Sequence, residues 1–110
     1  MSKAPAVKPP RPARPPLSDD NAVALADLFR LLGDPSRLRI VVACLRSPLS
    51  VSEIAERLGL SVSLVSHHLR LLKGARLVRA ARQGRQVFYG ADDAHVRRMI
   101  EDMVVHVGEH

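Results

Sequence analysis

Five stretches of the chain carry apolar residues at a 3.6-residue period, and two of them are joined only by Gly59-Leu60-Ser61. Around Gly84 the period switches to two. Together these features predict a mainly α domain with a β-hairpin wing, a winged helix-turn-helix, over residues 18–110. Residues 1–17 stand apart, with six of the eight prolines and four basic residues. Proline removes amide donors and blocks helix, so this Pro/basic tail is expected to be disordered.

Each element has a start and a stop. Ser18, Asp19 and Asp20 supply a cap and first-turn acids for a helix carrying Val23, Leu25, Leu28, Phe29, Leu31 and Leu32, which Gly33 ends. Asp34 caps the next helix, and Pro35 takes its first position, where a missing N–H costs nothing. That helix is expected to reach about Arg46, with Pro48 closing the exit. Ser50-Val51-Ser52-Glu53 reads as a capping box for a short helix that buries Ile54, Ala55 and Leu58 and stops at Gly59.

Ser61 caps the following helix, expected over residues 62–73 with Gly74 after it. Its faces separate cleanly. Val65, His68, Leu69 and Leu72 fall on one side, and Ser63, Ser66, His67 and Arg70 on the other. Residues 77–82 and 86–89 alternate as strands about the turn Gln83-Gly84-Arg85. A last helix, from Asp92 or Asp93 to about Val107, carries the stripe Val96, Met99, Ile100, Met103, Val104 and Val107.

Charge narrows the function. The net charge of +6 points to a polyanionic partner, and its distribution says more than its sum. No acid occurs between Arg57 and Ala91, while Arg57, Arg70, Lys73, Arg76, Arg79, Arg82 and Arg85 all fall there. With only 3% aromatic residues, aliphatic side chains must build the core, which suits packed helices. Cys44 is the single cysteine, in an apolar run, so a cysteine zinc cage is excluded. No apolar stretch reaches a membrane span and no signal-peptide core precedes the domain, so a cytoplasmic protein is expected. Phosphate loops and nucleophile–base pairs are missing, which argues against an enzyme.

Three histidines, His95, His106 and His110, lie near Asp93 and Glu109. His95 and His106 share a helical face but stand about 16 Å apart along the axis at 1.5 Å rise per residue. Zinc needs its nitrogen ligands within about 4 Å of each other, so one chain cannot close this site. Two antiparallel copies can. Asp93 and His95 of one helix would meet His106 and Glu109 of the other, giving two sites per homodimer. The same residues also serve plain helix capping, since Asp93 is a natural N-cap and terminal histidines complement the dipole. Spacing alone supports both readings.

Several motifs in order resemble the ArsR/SmtB family of winged-helix metal-sensing repressors. They are Asp34-Pro35-Ser36-Arg37-Leu38-Arg39-Ile40, then residues 63–72 (SLVSHHLRLL), then Leu77-Val78 with Arg82-Gln83-Gly84-Arg85 and Phe88-Tyr89. The resemblance covers about residues 20–110. It implies a homodimer on double-stranded DNA with an inverted repeat, with Val62, Ser63, Ser66 and His67 at base edges. Arg70 suits phosphates, and the wing residues Arg82, Gln83 and Arg85 suit the backbone. It also implies that Asp93, His95, His106 and Glu109 match the C-terminal-helix site of zinc-sensing members, with zinc as inducer. Ser50-Val51-Ser52 replaces the thiolates of cysteine-bearing members, so a second site is not expected. His110 could raise coordination towards the geometry of nickel or cobalt. A repressor of this family without metal response is the alternative.

Overall fold

The computed structural model describes residues 16–108. The tail up to residue 15, for which disorder was expected, lies outside the described residues, as do the candidate ligand Glu109 and His110. In chain order the elements are α1 (Asp19–Leu32), α2 (Pro35–Ala43), β1 (Leu49–Ser50), α3 (Val51–Leu58), α4 (Val62–Gly74), β2 (Val78–Gln83), β3 (Gln86–Ala91) and α5 (Ala94–Gly108).

Local hydrogen bonds explain why the helices begin where they do. Ser18 Oγ accepts from the Asn21 amide at 3.1 Å, and Asp34 Oδ2 from Arg37 at 3.0 Å. Ser61 Oγ accepts from Leu64 at 3.1 Å, and Asp93 Oδ1 from Val96 at 2.9 Å. The capping box closes in both directions: the Ser50 amide donates to Glu53 Oε1, and the Glu53 amide donates to Ser50 Oγ. Each bond satisfies a helix-start amide that has no partner within its own helix.

α2 is shorter than expected. It ends at Ala43, where the Cys44 amide bonds back to Val41 and Val42. The early stop lets Cys44, Leu45 and Leu49 all enter the core. Leu49 and Ser50 form a strand that the sequence pattern did not reveal, pairing with Tyr89 and Phe88 of β3. The sheet order is therefore β1-β3-β2, antiparallel throughout. At the hairpin tip Gln83 pairs with Gln86, so the loop is the two residues Gly84-Arg85 rather than three. Gly84 takes φ +64°, the first-position glycine that a tight hairpin turn favours.

One core holds the module together. Ile40 and Val41 of α2, Ile54 of α3, and Val65, Leu69 and Leu72 of α4 are essentially inaccessible, joined by Val78 and Ile100. Burying each such side chain contributes about 1.5–3 kcal/mol. Gly59 turns α3 into α4 with φ +67°, and the Leu60 amide closes onto Ala55 O. α4 ends in a Schellman arrangement: the Leu77 amide reaches Leu72 O and the Arg76 amide reaches Lys73 O. Arg76 therefore sits at φ +62°, a left-handed position usually given to glycine.

The apolar stripes of α1 and α5 are not covered. An open groove of about 430 Å³ runs between them, lined by Phe29, Leu38, Met99, Met103, Val104 and Val107 among others. Val107 is 67% exposed. Ile100 is the sole residue of α5 that is fully buried.

Candidate nucleic-acid interface and metal-ligand residues

Packing of Val65, Leu69 and Leu72 fixes the rotation of α4 and turns its other face to solvent. Val62, Ser63, His67 and Arg70 are exposed, and Ser66 is half-buried. Arg82, Gln83 and Arg85 are exposed at the hairpin tip. The same acid-free segment thus supplies short hydroxyls and an imidazole on a helix, and guanidinium groups on an adjacent hairpin. Short polar groups on a helix can reach base edges in a major groove, while cations on the hairpin neutralise phosphates.

His67 and His68 diverge as neighbours on a helix must, with ring centroids 5.7 Å apart. His68 turns inward. Its Nδ1 is buried with no hydrogen-bond partner, as is Arg37 Nε. Asp34 stands between these concerns: it caps α2, and its Oδ2 lies 4.0 Å from Arg37 Nε. Sequence reasoning placed His68 on the core side but did not foresee this cluster with Asp34 and Arg37, because it joins two elements distant in sequence.

Desolvation pushes the His68 pKa below its usual value, with Asp34 opposing the shift and Arg37 and His67 adding to it. The unfolded chain, titrating near 6.5, then binds more protons than the folded one just below that pH. Stability should be complete above about pH 6.5, fall as the solution is acidified through that value, and level off below the folded pKa. Denaturant midpoints at pH 7.5 and 5.5 should show this loss in the wild type and a smaller one in His68→Gln.

Burial raises the Cys44 thiol to about 11, so it stays protonated and donates weakly to Ile40 O at 3.3 Å. It serves as core.

At the start of α5, His95 Nδ1 lies 3.8 Å from Asp93 Oδ1. The His95 side chain is 98% exposed. Asp93 Oδ1 is engaged by the Val96 amide, which leaves Oδ2 outside the cap. His106 is exposed near the other end of the helix. No cluster of three metal-ligating side chains forms among the described residues of one chain. The pair offers one imidazole and one carboxylate, open to solvent.

Helix-turn-helix, basic hairpin and polar outer face are together those of a winged-helix DNA-binding regulator. The sequence pattern of the bacterial regulatory proteins of the arsR family matches residues 34–80, and the chain belongs to that family. It is a transcriptional regulator, not an enzyme. A transcriptional repressor SmtB homolog of Synechocystis sp. is 41% identical over 93 residues, covering 84% of this chain and 70% of the relative. The antimony-specific transcriptional repressor AntR superposes with a TM-score of 0.78 at 33% identity over 96% of each chain. Mb0332 of Mycobacterium bovis, a homodimeric winged helix-turn-helix DNA-binding domain, gives 0.76 at 28% identity, covering 84% of this chain and 89% of the other. No described helix is long and apolar enough to cross a membrane.

Proposed function

We propose that the protein is a homodimeric repressor whose hold on an inverted-repeat operator weakens when zinc binds between the C-terminal helices of two copies. The observation that carries this reading is the layout of α5. Asp93 and His95 stand at one end and His106 near the other, with the uncovered apolar groove alongside. Packing two such helices head to tail covers the apolar stripe and brings each end to its complement. Asp93 and His95 of one copy and His106 and Glu109 of the other would hold the ion, a donor set of nitrogen and oxygen suited to tetrahedral zinc. Val62, Ser63, Ser66 and His67 would read bases, with Arg70, Arg82, Gln83 and Arg85 on the backbone.

Ligands drawn from both subunits make metal uptake favour one relative orientation of the dimer. If that orientation moves the two α4 helices off the roughly 34 Å spacing of successive major grooves, the operator is released. The second N–H of a ligating imidazole offers a route inward, and the backbone near Arg76 is the acceptor that the family resemblance suggests. The relatives support a metal inducer through AntR, which is antimony-specific. Coordination by His110 as well would favour nickel or cobalt.

Linkage supplies the test. If zinc weakens operator binding by some factor, the operator must weaken zinc binding by the same factor. Titrating zinc into free and into operator-bound protein should give a lower affinity in the second case. Equal affinities would reject zinc-driven release.

A further inference from the structure

Val62 is 53% exposed, although the same helix sinks Val65, Leu69 and Leu72 completely. A lone exposed valine on an ordinary surface needs no explanation. This one is the first residue of α4, directly after the Ser61 cap, and it lies far along the chain from the apolar stripes of α1 and α5. In a helix-turn-helix the N-terminal residues of the second helix are the ones that contact base edges. One turn on stand the buried Val65 and the half-buried Ser66, and the polar, exposed Ser63 is beside it. Val62 is therefore the most exposed apolar side chain of α4, at its first turn and next to the polar Ser63 and Ser66.

The major groove offers one apolar feature, the C5-methyl group of thymine. Cytosine presents a bare C5–H in its place, and purines present acceptors or donors that valine cannot satisfy. We infer that Val62 is a specificity-determining residue that selects a thymine at one position of each operator half-site by packing on its methyl group. The inference rests on the reading of α4 as the DNA-contacting helix. It adds the base that this helix selects. Because valine is β-branched and stiff, its two methyls are held in place on the first turn, so little side-chain freedom is lost on contact.

The test removes the methyl and nothing else. A 30-base-pair duplex would be selected by the full-length protein from a random pool, and each thymine in it replaced singly by deoxyuridine, which pairs identically. One symmetry-related pair of thymines should stand out, with affinity falling about fourfold for one methyl and about sixteenfold for both. In Val62→Ala the thymine and uracil duplexes should bind alike, while Val62→Ile should keep the preference. Val62 is exposed, so neither change threatens the fold.

A protein that binds every duplex equally, with no selected site, would defeat the DNA-reading role of α4 itself. A selected site whose uracil substitutions leave the wild type indifferent would overturn the inference alone. So would a methyl preference that survives unchanged in Val62→Ala.

Discussion

Met103→Glu is expected to turn the protein into a folded monomer that binds its operator about 100-fold more weakly, or worse. Met103 lies in the open groove between α1 and α5, beside Val104, Val107 and Phe29, and none of the four is buried within its own chain. A carboxylate placed there would have to lose hydration against the apolar stripe of the partner, and burying a charge is costly. The monomer's own core does not contain Met103, so far-UV circular dichroism should be unchanged. Operator affinity should drop because one protomer grips one half-site. Linking two half-site contacts in one dimer gains roughly 10²–10⁴ in affinity without new contacts, and the variant forfeits that gain. Sedimentation and fluorescence anisotropy on the same samples check both parts. A variant that stays dimeric would place the subunit contact elsewhere.

The second large effect concerns zinc. His95 and His106 are on opposite ends of a helix fifteen residues long, and neither has a third metal-ligating group clustered with it among the described residues of its own chain. If the proposed site forms, replacing either by alanine removes one of its four donors from each of two sites per dimer. Zinc affinity should fall by more than the roughly 10–100-fold that loss of an outer-shell partner brings. Operator binding without metal should be untouched, because neither residue lies on α4, on the hairpin or in the apolar groove assigned to the subunit contact. The effect separates sensing from DNA recognition within one chain.

Much of this architecture was legible in the sequence, and the reason is locality. Ser18, Asp34, Ser50, Ser61 and Asp93 each cap a helix through a bond to an amide three residues on, so a short window contains the whole signal. The inward face of α4 was equally readable, because Val65, Leu69 and Leu72 recur at helical spacing. What escaped depends on contacts between distant segments. β1 is two residues long, too short to show a period, and exists because β3 returns to pair with it. α2 stops at Ala43 in a run that could continue as helix, because Leu45 and Leu49 must turn back into the core. Gly74 suggested where α4 ends, yet the left-handed residue is Arg76, placed there by the bond from Leu77 to Leu72.

The candidate site divides in the same way. Exposure of Ser63, His67 and Arg70 follows from the periodicity that buries the other face, whereas Val62 shares the helical spacing of the buried residues and is exposed at the first turn. The ligand set does not follow from one chain, since its halves are separated by the length of α5. Spacing could say that a single helix fails to enclose an ion. It could not say whether a second helix is there to complete it; the structure adds an uncovered apolar groove beside Met103 and Val107.

The most direct test of a shared site mixes two defective proteins. His95→Ala and His106→Ala, each alone, should lack tight zinc binding. After unfolding and refolding them together in equal amounts, half of the dimers carry one defect on each chain. In those, the intact Asp93 and His95 of one subunit face the intact His106 and Glu109 of the other, so one site is whole. The mixture should recover about a quarter of the wild-type zinc capacity at wild-type affinity. If the mixture binds no more zinc tightly than the separate variants do, the ligands do not meet across subunits.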